Sequence, residues 1–109
     1  MARQLGNHDA AWWLMVAKQA KFRLRNVSEI LGRTPRTVQR HVRPLFGRSA
    51  QEWLNERRLD ALPETLNRLG SAKLADDELG FSDPAHLSRA CKERYGNPPM
   101  RFLKRISAE

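Results

Sequence analysis

Apolar residues recur at helical spacing along most of the chain, and no segment shows the alternation typical of a strand. Asp9 can cap a first helix that runs to about Phe22, and Trp12 falls off its apolar stripe and is expected to be partly exposed. The stripe itself consists of Trp13, Val16, Ala17 and Ala20. The pattern therefore predicts an all-α fold.

Glycine and proline residues divide the rest of the chain into further helices. A short helix around residues 27–31 ends at Gly32, which suits the left-handed conformation common at helix ends. The other predicted helices are those capped by Thr34 and Asp83, a long one from residue 49 to about 69, a short one over 71–79 and a last one from Pro99 to about Ile106. Pro63 should kink the long helix or restart it, because a proline nitrogen cannot donate a hydrogen bond.

Two segments of the chain carry the same pattern. Residues 34–47 align with residues 83–96 at an offset of 49 positions. Each segment opens with a capping side chain followed by a proline, Thr34-Pro35 and Asp83-Pro84, a few residues after a glycine. The matched pairs include Val38 with Leu87, Arg40 with Arg89, Arg43 with Lys92, Phe46 with Tyr95, Gly47 with Gly96, Ala50 with Pro99, and Trp53 with Phe102. Such a repeat indicates one helix-turn-helix unit used twice, whose second helix reads DNA.

The first repeated helix has opposite polar and apolar faces. Helical spacing puts Arg36, Gln39, Arg40 and Arg43 on one face, and Val38, Val42 and Leu45 on the other. Arginine can bond bidentately to guanine O6 and N7, and glutamine to adenine N6 and N7. The arrangement suits a helix that packs by one side and enters the major groove by the other. A solvated basic surface is the alternative, and it leaves the repeat unexplained.

The second repeated helix presents a matching face with fewer hydrogen-bond donors. Ala85, Ser88, Arg89 and Lys92 lie on this face, His86 flanks it, and Leu87 and Cys91 turn inward. Ala85 can touch a thymine methyl group, Arg89 a guanine, and His86 a phosphate or a base edge. An ordinary, partly exposed histidine is the competing interpretation of His86. Cys91 is most simply a small core residue.

The charge balance favours a polyanionic partner. The chain has 109 residues, 20 of them Lys or Arg against 12 acids, with a formal net charge of +8 and a pI near 10.8. Nucleic acid is the first candidate and an anionic membrane the second, with a basic protein lacking such a partner as the alternative. The single cysteine excludes a disulfide framework, the apolar run over residues 10–17 is too short to span a bilayer, and we expect a cytoplasmic, nucleoid-associated protein.

One run of residues resembles the signature of a known family. From Gly80 to Pro99 the sequence reads Gly-Phe-Ser-Asp-Pro-Ala-His-Leu-Ser-Arg-Ala-Cys-Lys-Glu-Arg-Tyr-Gly-Asn-Pro-Pro. This run, closed by Phe102, is similar to that of AraC/XylS-type transcription regulators. The earlier run from Thr34 to Gly47 and on to Leu59 resembles the family's first helix-turn-helix and the start of its linker helix. The overall size is similar to that of the stand-alone, MarA/SoxS-like members.

The resemblance implies about seven helices, forming two helix-turn-helix units joined by a linker helix. Its divisions would be a leader over residues 1–8, a first unit over 9–48, a linker over 49–70, and a second unit with the C-terminal helix over 71–109. The expected function is sequence-specific binding of double-stranded DNA as a monomer, across two successive major-groove segments. Family members often activate promoters through contact with RNA polymerase, and another regulator is a second possible protein partner.

The resemblance also assigns roles to residues by position, and it implies no cofactor. The base-reading positions fall on Arg36, Gln39, Arg40, Ala85, His86 and Arg89. Phosphate contacts are expected from Arg33, Thr37, Arg43, Arg48, Ser88 and Lys92.

The chain departs from the family pattern in its second half. Ala75 and Asp76 stand where an Ile-Ala pair is usual, so Asp76 must find a partner or slide outward, with Leu74 and Ala75 taking over the packing. Four acids within residues 76–83 should weaken the second reader's hold on phosphates. Pro63 in the linker and Leu103 after the final aromatic residue are further departures. We therefore expect the two repeated helices to contribute unequally to DNA binding, with the first supplying most of the affinity.

Other functions remain open on the sequence alone. A protein-interaction co-regulator or antiactivator would keep the fold and use Trp12, Trp13 and the acidic segment 76–83 to hold a partner. A non-specific architectural DNA binder is a third candidate. An enzyme is not indicated, because the histidines pair with no nucleophile or carboxylate at catalytic spacing and no phosphate-cradling glycine loop is present.

Overall fold

In the computed structural model, which describes residues 8–102, every regular element is a helix. The helices are α1 (Ala10–Gln19), α2 (Leu24–Leu31), α3 (Pro35–Phe46), α4 (Ala50–Leu69), α5 (Ala72–Leu79) and α6 (Pro84–Tyr95). Residues 99–102 are helical as well. The predicted all-α, helix-turn-helix fold is confirmed. Residues 1–7 of the predicted leader, and Leu103 and Ile106 of the predicted last helix, lie outside the described residues.

The chain divides into two compact units, and the boundary falls inside α4. The first unit covers residues 1–57 and the second covers residues 58–109. Helices α2 and α3 form the helix-turn-helix of the first unit, and α5 and α6 form that of the second. No helix of the described residues is long and apolar enough to cross a membrane.

Helix α1 supplies the predicted apolar stripe to the core of the first unit. Its members, all buried, are Trp13, Val16, Ala17 and Ala20. Asp9 caps the helix by accepting a hydrogen bond from the Trp12 N–H at 3.0 Å, and Trp12 is partly exposed as expected. The helix ends at Gln19, earlier than predicted, because Lys21 and Phe22 both adopt left-handed backbone angles, with φ of 55° and 58°. This turn buries the Phe22 ring.

Replacing Lys21 with glycine should stabilise the fold. A left-handed conformation costs a residue with a side chain about 1–2 kcal/mol, and glycine avoids that cost while losing about 0.5–1 kcal/mol of conformational entropy. We expect Lys21→Gly to raise the free energy of unfolding by about 0.5–1 kcal/mol, measured by urea denaturation with far-UV circular dichroism. The control Lys18→Gly, inside α1, should destabilise by a similar amount. Equal losses for both variants would refute the strain assigned to Lys21.

The start of α4 is held by a reciprocal pair of hydrogen bonds. The Ser49 N–H donates to Glu52 Oε1, and the Glu52 N–H donates to Ser49 Oγ, both at 3.1 Å. The bond from the Ser49 backbone holds the pKa of the Glu52 carboxyl below its usual value, with further help from Ser49 Oγ and from Arg48 and Arg43. A lowered carboxyl pKa stabilises the fold above the ordinary glutamate value, and that contribution is lost as the pH falls through the lowered pKa.

Helix α4 continues through Pro63, so of the two predicted outcomes, a kink or a restart, the restart is wrong. Pro63 leaves the carbonyl of Leu59 without its intrahelical donor, since that carbonyl would normally accept from the nitrogen four residues later. The Tyr95 hydroxyl of α6 donates to this same oxygen at 2.6 Å. A side chain of α6 thus replaces the hydrogen bond that Pro63 removes, which explains how α4 tolerates a proline at this position.

The unusual sequence of α5 is accommodated by Ala75. This alanine is completely buried, Asp76 is half-buried, and Leu74 is half-exposed, so only one of the two predicted replacements packs inward. A buried guanidinium completes the core of the second unit: Arg58 Nε donates to the Leu79 carbonyl at 2.9 Å, and its charge lies 5.4 Å from the centre of the Phe81 ring. The bond satisfies an orphan carbonyl at the C-terminus of α5.

Cys91 is a fully buried core residue, as the sequence predicts. Burial raises the pKa of its thiol, which keeps the sulfur protonated and unreactive at neutral pH.

Candidate nucleic-acid interface

The repeated cap-and-proline device starts both candidate reading helices. Thr34 Oγ1 accepts from the Thr37 N–H at 3.2 Å at the start of α3, and Asp83 Oδ1 accepts from the His86 N–H at 2.8 Å at the start of α6. A proline follows each cap at the first helical position. Both helices end at a left-handed glycine, with φ of 73° and 74°. The sequence offset therefore describes two helices built alike at both ends.

An aromatic pair fixes the C-terminus of each reading helix within its own unit. In the first unit Phe46 stacks on Trp53 with ring centroids 4.6 Å apart. In the second, Tyr95 meets Phe102 edge to face at 5.7 Å. These pairs are equivalent under the 49-residue offset. Each places its helix against the following segment, so that the opposite side of the helix faces solvent.

The solvent side of α3 carries the predicted arginines. Val38 and Val42 are buried, whereas Arg36, Arg40 and Arg43 are exposed. Within residues 8–102, no hydrogen bond or salt bridge engages the guanidinium groups of Arg36 and Arg40. These groups are therefore available for a ligand.

Leu45 corrects the predicted apolar face of α3. Helical spacing predicts Leu45 beside Val38 and Val42, yet just over half of its surface is exposed. Leu45 lies in the last turn, where the stacked ring of Phe46 supplies the packing instead. Pro44 also lies in this exposed turn.

Gln39 is half-buried and bonded to the start of the next helix. Its Oε1 accepts from the Ala50 N–H at 2.6 Å, so it satisfies one of the orphan donors of α4. The 49-residue offset carries a signal of this role. Ser88 is the counterpart of Gln39, and Pro99 is the counterpart of Ala50. Because proline has no N–H, the second unit needs no acceptor at position 88. The amide nitrogen of Gln39 remains the atom that can serve as a donor to DNA.

Two substitutions of Gln39 should separate its role as the cap of α4 from its predicted contact with DNA. Gln39→Ala removes the acceptor for the Ala50 N–H and should cost about 1 kcal/mol of stability. Gln39→Glu keeps an oxygen in place and should change stability by less than about 0.5 kcal/mol. Urea denaturation measures both, with Ser88→Ala as a matched control that should be neutral. Equal losses from both Gln39 variants would contradict the cap.

The predicted phosphate-contact residues of the first unit differ in their engagement. Arg48 forms an exposed ion pair with Glu56, which Arg57 also approaches at 3.6 Å. Exposed pairs of this kind contribute little to stability, so Arg48 can exchange Glu56 for a phosphate at small cost. Thr37 is half-buried and its hydroxyl accepts from Thr34 Oγ1 at 3.1 Å. Arg33 is half-buried, with a long contact of 3.4 Å to the Gly32 carbonyl.

Helix α6 presents the predicted second face. Leu87 and Cys91 are buried, and the exposed residues are Ala85, Ser88, Arg89 and Lys92. His86 is half-buried, and the structure adds two residues that sequence reasoning did not assign to it. Ser82 contacts its Nδ1, and the Phe81 ring meets its ring edge to face at 5.2 Å. The only sequence signal for these contacts is that both residues precede the cap of the helix.

The acids near α6 are partly neutralised within the second unit. Arg68 pairs with Glu78 and with Glu64, and its guanidinium pKa is raised chiefly by the hydrogen bond to Glu78. The carboxylate of Asp83 accepts the capping hydrogen bond of α6. The acidic segment 76–83 therefore opposes phosphate binding less than its four charges suggest.

Comparison with known proteins identifies the family. Residues 27–105 match a family of helix-turn-helix domains of AraC type, and the chain belongs to that family. The match covers both repeated segments, 34–47 and 83–96, and the whole of α4. No curated protein and no solved structure matches the chain significantly. The family is one of DNA-binding regulatory domains rather than enzymes, so the protein is a double-stranded DNA-binding domain of transcription regulation.

Proposed function

We propose that this domain recognises a specific duplex site by inserting α3 and α6 into two successive major-groove segments. The observation that carries the proposal is the exposed arginine face of α3, whose opposite side is buried by Val38 and Val42. A major groove about 12 Å wide admits one helix, and residues near the start of such a helix reach the base edges. Arg36 and Arg40 lie in the first two turns of α3.

Each predicted contact residue then has a chemical role. Arg36 and Arg40 bond to guanines in the first segment, and Arg89 bonds to a guanine in the second, where Ala85 meets a thymine methyl group. Gln39 contributes its amide nitrogen and His86 a ring nitrogen. The phosphates are held by Arg33, Thr37, Arg43, Arg48, Ser88 and Lys92.

The two readers contribute unequally in this proposal. Helix α3 offers two unpaired guanidinium groups near its start, whereas the first turns of α6 offer alanine, histidine and serine before Arg89. Glu93 lies exposed on α6 where α3 has Pro44. We infer that α3 supplies most of the affinity and that α6 refines the choice of site.

Selection of bound duplexes from a random library, using the full chain, tests the proposal. The expected product is a motif of two halves about 10 base pairs apart, centre to centre. Affinity for the selected duplex should fall steeply with salt, with a slope of log K against log salt near −4 for about four phosphates neutralised by Arg33, Arg43, Arg48 and Lys92. A single half-motif would show that α6 does not read bases. Absence of binding to any duplex at low salt would favour the protein-interaction function instead.

The regulatory sign is tested separately. We propose activation, through contact with RNA polymerase or with another regulator bound nearby. A promoter carrying the selected site upstream should yield more transcript with purified polymerase when the protein is added. A fall in transcript at the same occupancy of the site would identify a repressor.

A further inference from the structure

The imidazole of His86 is held in one orientation by the loop that precedes α6. Its Nδ1 lies 3.1 Å from Ser82 Oγ and 3.4 Å from the Ser82 backbone nitrogen, whose N–H points at it. The ring of Phe81 packs against it at an interplanar angle of 82°. Asp83 fixes the backbone of His86 at the same time, by accepting its N–H. The side chain is therefore oriented before any ligand arrives.

These contacts select one tautomer of the neutral ring. A neutral imidazole has one nitrogen that donates and one that accepts, and the partner of each nitrogen decides which is which. The Ser82 backbone N–H can only donate, so it requires the lone pair of Nδ1. The proton then resides on Nε2. Within the described residues no hydrogen bond engages Nε2, so this N–H is free to bond to something outside the protein.

We propose that Ser82 is a positioning residue that makes His86 a hydrogen-bond donor specific for an acceptor atom of DNA, purine N7 at the base edge. The proposal rests on the function proposed above and adds to it the polarity of one contact. His86 Nε2–H cannot bond to the amino groups of adenine or cytosine, which are themselves donors. A phosphate oxygen offers the same acceptor chemistry, and the experiment distinguishes the two sources.

The tautomer can be measured without DNA. Two-bond nitrogen–proton correlation spectra, recorded at increasing pH until the ring signals stop changing, should place the proton of His86 on Nε2 in the wild type. Ser82→Ala keeps the backbone N–H, whose nitrogen lies 3.4 Å from Nδ1, but removes the closer hydroxyl at 3.1 Å, so it should introduce a fraction of the Nδ1–H form. Ser82→Thr retains a hydroxyl and should give the wild-type spectrum. An Nδ1–H form in the wild type, or identical spectra for all three proteins, would overturn the role of Ser82.

The DNA contact is tested with the selected duplex and its analogues. Replacing one purine at a time with its 7-deaza analogue removes the N7 acceptor, and at one position within the half bound by α6 wild-type affinity should fall roughly 2–10-fold. His86→Phe, which keeps an aromatic ring against Phe81, should lose a similar factor on the natural duplex and nothing further on that analogue. His8→Phe, in the first unit, is the matched control and should bind both duplexes as the wild type does.

Each outcome decides one point. If methylphosphonate at one backbone position, rather than a deaza-purine, abolishes the difference between wild type and His86→Phe, the donor role stands and the acceptor is a phosphate. If His86→Phe equals wild type on every duplex while the motif itself is bound specifically, the inference about His86 fails and the proposed function survives. If no specific motif is selected, the proposed function itself fails.

Discussion

Replacing Arg40 with alanine should weaken binding to the selected duplex by about 1–3 kcal/mol, roughly 5–150-fold, and should relax the base preference at one position. The reason is that Arg40 occupies the exposed face of α3 with a guanidinium group that no described residue engages. Arg89→Ala, the equivalent substitution in α6, should weaken binding less, because α6 carries fewer hydrogen-bond donors around Arg89. Fluorescence anisotropy with labelled duplex measures both losses, on the full chain and at fixed salt.

A charge-matched control separates base reading from general attraction. Arg25 is a highly exposed arginine of α2 that pairs loosely with Glu29, and Arg25→Ala removes the same charge from a helix other than α3 and α6. This variant should bind nearly as the wild type does. If Arg40→Ala instead weakens all duplexes equally and lowers the salt slope by about 1, Arg40 holds a phosphate and not a base. Equal losses for Arg40→Ala and Arg89→Ala would rule out unequal readers.

Replacing Tyr95 with phenylalanine should lower the free energy of unfolding by about 1–2 kcal/mol, because the Leu59 carbonyl then has neither Tyr95 nor a residue-63 N–H as donor. The ring and its contact with Phe102 are retained. Pro63→Ala restores an N–H four residues after Leu59, so in that background Tyr95→Phe should cost less than about 0.5 kcal/mol. A double-mutant cycle by urea denaturation measures the coupling between the two positions. Additive losses would show that the tyrosine does not compensate for the proline.

The pH dependence of the same interaction provides an independent test. Burial is the main cause that raises the pKa of the Tyr95 phenol, so the hydroxyl remains a donor at neutral pH. A raised phenol pKa contributes stability that is present below the ordinary tyrosine value of about 10 and is lost as the pH rises through the raised pKa. Tyr95→Phe should therefore show a smaller loss of stability at alkaline pH than the wild type.

The sequence predicted the elements whose causes are local. Helix caps depend on one side chain and an N–H three residues away, which is why Thr34 and Asp83 could be assigned from residue type and position alone. The buried stripe of α1 followed from helical spacing in the same way. The early end of α1 could not be predicted from helical spacing, because it depends on burying the Phe22 ring in the core of the first unit.

The sequence failed where a side chain bonds to a distant part of the chain. Gln39 has the spacing of a reading residue, and only the folded unit shows that its oxygen caps α4, eleven residues onward. The effect of Pro63 was likewise judged from the helix alone, whereas its missing donor is replaced by Tyr95, which follows thirty-two positions later. The facing directions of Arg36, Arg40 and Arg89 were predictable because helix periodicity decides them.

The distribution of aromatic residues between the two units has a practical consequence. All three tryptophans, at positions 12, 13 and 53, belong to the first unit, and the single tyrosine belongs to the second. Intrinsic indole emission therefore reports on the first unit alone, while the far-ultraviolet signal sums the helices of both. Unfolding curves that diverge between these two probes would show that one half melts before the other, with no label attached and no residue changed.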